Sequence, residues 1–180
     1  VLDTETTGLN PKQDQVLSIG AVLVEERSIQ LGEVLELTLQ NPQASTSSIP
    51  IHGILPSESA AGIPPEEASR KLLRFIGNSP LVGHHLAFDL RMLQKLLATH
   101  CPGFFFHNRC LDTAQLARRL EKPFVSQDMI RGTDYSLDEL IKRYGLVAHD
   151  RHTALGDAFI TAQLFLKLLS RGGQAGWRRI

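Results

Sequence analysis

The chain has 180 residues, 42% apolar and 21% charged, a size and balance that suit one globular domain with a full core. Lys plus Arg number 19 and Asp plus Glu number 19, so the net charge is zero. That excludes broad duplex binding through a basic face, but not a short nucleic-acid contact where bound ions supply the positive charge. No apolar run approaches the roughly 20 residues of a membrane span, and no signal peptide is recognisable. Cys101 and Cys110 lack zinc-type spacing and read as reduced thiols. A cytoplasmic protein without a membrane partner is the expectation.

Val1 and Leu2 read as the end of a buried strand, and Asp3 and Glu5 follow two apart. Residues i and i+2 of a strand share a face, so two carboxylates are aimed together from an apolar strand. Such like charges raise each other's pKa unless a cation lies between them, and hard oxygen ligands suit Mg²⁺ or Mn²⁺. Taken alone, Asp-Thr-Glu is more commonly a surface turn. Thr6-Thr7-Gly8 is predicted to be a turn whose N–H groups and hydroxyls could hold an anion or a sugar hydroxyl. The first strand looks short and the chain opens without Met, as a module taken from a longer polypeptide would.

Gln15 to Val24 is a long apolar run rich in β-branched residues, predicted to be a strand buried on both faces. Leu35, Leu37 and Leu39 alternate with Glu36 and Thr38, the pattern of a half-solvated edge strand. The stretch Glu25 to Ser28 between them carries no strong hairpin signal. Three antiparallel strands therefore open the chain. Asn41 to Pro65 reads as a long functional loop containing Ile51-His52-Gly53-Ile54. A helix is predicted over Pro65 to Ile76, with Ala68, Leu72, Phe75 and Ile76 as its apolar stripe and Gly77 as its stop. Pro80 to His84 reads as a short buried strand. A second helix follows with Leu86, Leu90, Leu93 and Leu97 at helical spacing. Phe104-Phe105-Phe106 is expected to begin another strand ending near Leu111. Asp112-Thr113 then caps a third helix. Glu121 to Thr133 reads as a surface excursion, and Ser136 to Glu139 as a capping box opening a helix to Tyr144. The last helix is predicted from Thr153 to Ser170, with Leu155, Ala158, Phe159, Ala162, Leu166 and Leu169 on its buried side and a fraying tail over residues 171–180.

Two further acids stand out. Asp89 lies in the first turn of the second helix, where a helix-capping role is the plain alternative. A strand parallel to the first would bring its carboxyl to the same crevice as Asp3. Asp157 lies on the last helix between the small residues Gly156 and Ala158, with His152 five residues earlier in the preceding loop.

The segments Asp3-Thr4-Glu5-Thr6-Thr7-Gly8-Leu9, Gly83-His84-His85-Leu86-Ala87-Phe88-Asp89 and His152-Thr153-Ala154-Leu155-Gly156-Asp157-Ala158 closely resemble, in order, the three motifs of the DEDDh 3′–5′ exonucleases. That group includes the proofreading epsilon subunit of bacterial DNA polymerase III and ribonuclease T. The resemblance spans Val1 to about Leu169. It implies an α/β, ribonuclease H-like fold, a mixed five-stranded sheet flanked by helices, and one exonuclease domain over residues 1–180. It implies two Mg²⁺ or Mn²⁺ ions held by Asp3, Glu5, Asp89 and Asp157, with His152 as general base. The expected products are nucleoside 5′-monophosphates from single-stranded 3′ ends. It places Thr4, Thr6, Thr7, His52, Ile54, His85 and Phe88 against the substrate. Many relatives carry Asn where this chain has His85. DNA is the expected substrate, RNA ends the first alternative, and a non-catalytic nucleic-acid-binding module the second. A polymerase, or other domains of a longer chain, is the expected protein partner.

Overall fold

The computed structural model describes residues 1–41, 49, 53–122 and 132–174. Strands β1 (Leu2–Thr6), β2 (Val16–Glu25) and β3 (Ser28–Thr38) form an antiparallel sheet in that order. Asp3 pairs with Gly20 and Glu5 with Ser18. β2 is buried on both faces from Val16 to Val22, as its unbroken apolar run predicts. On β3, Leu37 is buried, Leu35 half-buried and Glu36 exposed. β2 and β3 meet in a two-residue hairpin that the sequence did not signal. Glu25 pairs with Ser28, and Glu26 (φ 48°) and Arg27 (φ 62°) are both left-handed. The twist of the flanking strands selects that geometry even without the usual Asn-Gly pair.

β4 (Leu81–Gly83) and β5 (Cys110–Asp112) form a parallel pair. β4 runs beside β1, where a Cβ placed on Gly83 would lie 3.2 Å from the Leu2 carbonyl oxygen. The α/β class is as expected and five strands are present, but among the described residues they are hydrogen-bonded as a three-stranded and a two-stranded sheet and not as the single five-stranded sheet expected. β1 begins at Leu2 while β2 runs on to Glu25, and a cavity of about 400 Å³ lined by Val1, Val24, Leu81 and Phe165 lies beside that stretch. The strand expected to begin at Phe104 begins only at Cys110, as β5. Gln94 Nε2 donates to the Phe104 carbonyl at 2.8 Å and takes the place of a ladder partner. The Phe104 and Phe106 rings meet edge to face at 5.1 Å, and Phe105 is exposed.

The helices follow their caps. α1 (Pro56–Ala60) is a short turn inside the long loop, and α2 (Pro65–Ile76) buries Ala68, Leu72 and Ile76 as predicted. α3 (Ala87–His100) buries Met92, Leu93 and Leu97. α4 (Thr113–Glu121) starts at Asp112, whose carboxylate accepts from the Ala114 and Gln115 N–H groups. α5 (Leu137–Tyr144) starts at Ser136 and stops at left-handed Gly145. α6 (Ala154–Gln174) outlasts its predicted end. Its buried face matches the expected one only in part, at Ala158 and Ala162. Ala154, Ala158, Thr161, Phe165 and Leu168 are buried, whereas Leu155, Phe159, Leu166 and Leu169 are only partly so. The helix is apolar nearly all round, so periodicity cannot choose its face. The close approach of its small residues to the sheet does, and Asp157 falls inside that face. No helix among the described residues is long and apolar enough to cross a membrane. Ile51 and His52, most of the Glu121 to Thr133 excursion and the tail beyond residue 174 lie outside the described residues.

One contact sets the position of α6. A Cβ on Gly20 would collide with the backbone of Ala154 and Leu155. The first turn of α6 therefore rests on β2 directly opposite Asp3. Gly20→Ala should destabilise the chain by about 1–3 kcal/mol through overpacking. Gly32→Ala, where a Cβ meets nothing within 4 Å, should stay within about 0.5 kcal/mol of the parent. Urea denaturation of the two variants checks both.

Candidate active site

β1 presents Asp3 and Glu5 on one face, and the first turn of α6 lays Asp157 over them. The three offer ligand oxygens that all lie within 4.8 Å of one another. Asp89 reaches the same place from the first turn of α3. The start of α3 is fixed by the Leu86 N–H, which donates to Asp112 Oδ2 at 3.0 Å. Asp112 thus anchors the beginnings of α3 and α4 at once. Asp89 is buried, and Thr4 Oγ1 donates to its Oδ1 at 2.7 Å, tying strand to helix.

Crowding dominates the electrostatics. Burial, reinforced by the charges of Asp89, Asp157 and Glu5, pushes the Asp3 carboxyl well above the ordinary carboxylate range. Burial, then Asp157 and Asp89, pushes Glu5 up to about 7. Asp89 also rises to about 7, chiefly by burial, with the Thr4 hydrogen bond opposing. The compensating charge is Arg151, whose guanidinium pairs with Asp157 and, at 2.8 Å, with Asp138. Four carboxyl groups converging in a poorly solvated place, and already drawing in a guanidinium, fit a divalent cation with hard oxygen ligands.

The loop before α6 is folded back on the helix. Asp150 (φ 52°) and His152 (φ 65°) are both left-handed. Thr153 Oγ1 donates to the Asp150 carbonyl at 2.7 Å and accepts from the Gly156 N–H at 3.1 Å. The Asp150 carbonyl lies where a side chain at residue 156 would stand, which is why that position is glycine. His152 is exposed on this loop, near enough to Asp138 to help lower that carboxyl.

The residues expected against substrate divide. Thr4 is buried and its hydroxyl is committed to Asp89, which makes it a support of the acid cluster and not a surface contact. Thr6 Oγ1 donates to the Gly8 carbonyl at 2.8 Å and Thr7 Oγ1 to Asp14 at 2.9 Å, so both hydroxyl protons build the loop that follows β1. His85 is exposed and left-handed (φ 55°), its ring edge-on to His84, and Phe88 is half-buried. Ile54 is half-buried and lines a cavity of about 320 Å³ with Ser18, Thr38, Thr153 and Leu155. Ser18 is the cross-strand partner of Glu5, so this cavity opens beside the carboxylates. His52 lies outside the described residues. The sequence reading missed Arg151 and Asp138. A clustering of acids that needs a counter-charge, with an arginine adjoining His152, was the signal for the first; nothing local marked the second.

The family model described as exonuclease matches residues 1–165. The chain is 34% identical over 171 residues to the DNA polymerase III PolC-type protein of Thermotoga petrophila, across 94% of this chain and 12% of that one. It is 28% identical over 174 residues to the DNA polymerase III subunit epsilon of Aquifex aeolicus, covering 94% of this chain and 79% of the other. Among solved structures, exonuclease X in complex with 5′ overhanging duplex DNA superposes with a TM-score of 0.71 at 26% identity, covering 96% of this chain and 91% of that one. Shared order and overlay together identify the fold as ribonuclease H-like.

Glu5 and Asp89 titrate near 7 in the folded chain and near 4 once unfolded. Between those values the folded state keeps protons that the unfolded state has lost, so the stability contribution of the cluster falls as pH rises from about 4 to about 7. His84, pushed down to about 3 by burial, and the Val1 amino group, pushed down to about 6 by burial, act in the opposite sense as two groups against three. The metal-free chain should therefore have a higher Tm at pH 5 than at pH 7.5. The drop should shrink in Asp3→Asn, and Mn²⁺ at pH 7.5 should restore the Tm. Identical pH profiles for parent and variant in thermal melts would remove the crowding argument.

Proposed function

The chain belongs to the exonuclease family, and on that footing we propose that it removes nucleoside 5′-monophosphates from the 3′ ends of single-stranded DNA. Exonucleases of this family depend on divalent metal ions. The observation that carries the reading is the convergence of Asp3, Glu5 and Asp157, with Asp89 beside them. In this reading Asp3, Glu5 and Asp157 hold one Mg²⁺ or Mn²⁺ ion, and Asp89 with Asp3 holds a second. When bound, the ions supply Lewis acidity at the scissile phosphate and acidify the attacking water.

The chain's own residues do the rest. His152, exposed at the rim, takes the proton of the attacking water on a ring nitrogen, a task suited to imidazole near neutral pH. Thr4 holds one Asp89 oxygen by its hydrogen bond. Ile54, Phe88 and His85 offer apolar and aromatic surface around the cleft, which favours unpaired bases over duplex. DNA is favoured because the PolC-type and epsilon relatives are named for DNA polymerase III. The chain spans 12% of the PolC-type relative's length, so a polymerase carried on or beside it is the proposed working partner.

The test uses 5′-labelled single-stranded DNA and RNA of one sequence, with Mg²⁺, Mn²⁺ or EDTA. A metal-dependent ladder shortening from the 3′ end, faster on DNA, is expected; a faster RNA ladder would reassign the substrate, and no ladder from folded protein would favour a binding module. His152→Ala should lower turnover by about 10²-fold or more while leaving calorimetric Mn²⁺ affinity within about two-fold. An equal loss of affinity would make His152 a ligand.

A further inference from the structure

We propose that Arg151 is a positioning residue that trades places with the metal: its guanidinium holds Asp157 while the site is empty of cation and is handed to Asp138 when the cation arrives. The inference rests on the reading of Asp3, Glu5 and Asp157 as metal ligands. The guanidinium forks between two carboxylates. One terminal nitrogen, Nη1, meets Oδ1 of Asp157. Nε and Nη2 both donate to Oδ1 of Asp138, at 3.1 and 2.8 Å. The inner partner is 11% exposed at its side chain and the outer one 59%, with Arg151 itself at 18%. The fork therefore has a buried tine on the acid cluster and a solvent-side tine with two hydrogen bonds.

A divalent ion drawn to the cluster and the guanidinium compete for the negative charge of Asp157. In the proposed exchange, loading the site weakens the inner contact, and the outer pair is already formed to hold the displaced charge. Asp138 opens α5, so the exchange links the metal site to a helix outside it. The neighbour of Arg151 is His152, on a loop whose two ends are fixed by Thr153 and the left-handed Asp150. Movement of the guanidinium toward Asp138 is therefore felt at the imidazole first. In this arrangement an arginine one residue from the base couples occupation of the metal site to the placing of that base.

Calorimetric titration of the full chain with Mn²⁺, without substrate, tests the exchange. Arg151→Gln should bind Mn²⁺ about five-fold more tightly, since a competing ion pair of ordinary strength is removed. A merely structural arginine would, when removed, loosen the site, the opposite sign. Asp138→Asn should weaken binding about three-fold in the parent and have no effect in the Arg151→Gln background, because its action runs through Arg151. Additive effects would mean two independent charges and would overturn the exchange, as would unchanged affinity in Arg151→Gln. If Arg151→Gln does not fold, Asp138→Asn alone decides. At 0.5 M salt the field of an exposed carboxylate is screened, whereas lost anchoring still weakens binding; no weakening there overturns the proposal. Failure of the underlying metal reading looks different. In that case the parent itself binds no Mn²⁺, or Asp3→Asn binds it as well as the parent.

Discussion

Like charges held close in a poorly solvated place are expensive, and the structure is built around tolerating that cost at one point. Asp3, Glu5, Asp89 and Asp157 come from a strand, the start of one helix and the start of another, elements that share no local sequence logic. Burial and mutual repulsion push at least three of them toward holding protons near neutrality. A fold that needed only stability would replace some of these acids with apolar side chains. Their retention together makes sense when a cation completes the set.

The surrounding fold supplies placement by close approach. Gly20 lets the first turn of α6 touch the sheet opposite Asp3, and Gly83 lets β4 lie beside β1 with Leu86 filling the space a side chain would take. Thr4 then joins β1 to α3 through Asp89, and Asp112 joins β5 to the starts of α3 and α4. The core of Leu2, Ile19, Leu72, Leu93 and Leu97 lies beneath, so the acid ends of these elements cannot drift independently. Rigidity of the frame and strain of the charge cluster are two sides of one design, because only a stiff frame holds repelling groups in register.

The strands, the caps and the motif acids were legible because each rests on a local rule: alternation on β3, an unbroken apolar run on β2, Asp112 and Ser136 before their helices. Three things were not. The Glu26-Arg27 turn has no residue that favours positive φ, so strand twist and not turn chemistry decides it. The phenylalanine run has strand composition, but a side-chain amide from α3 takes one of its carbonyls. The face of α6 is ambiguous in a helix that is apolar nearly all round, and the close fit at Gly20 resolves it. Within the site, the acids were found through their order in the chain. Arg151 escaped because an arginine beside a histidine has no periodicity, and its meaning appears only when Asp138 and Asp157 are seen on either side of it.

Charge balance ties these points to the proposed activity. With 19 cationic and 19 acidic side chains, the chain has no excess positive field to draw a polyanion from a distance. Its candidate cleft is locally acidic, and among the described residues the compensating charge beside the carboxylates is that of Arg151. Two like charges about 4 Å apart repel by about 4 kcal/mol at the effective dielectric of a protein surface. Carboxylates that keep their charge repel an entering strand, and the protons that Asp3, Glu5 and Asp89 tend to hold near neutrality only soften that barrier. Cations that neutralise the carboxylates convert the same residues from a barrier into a phosphate site. In the proposed function, ions held by these carboxylates would therefore serve substrate binding as well as chemistry.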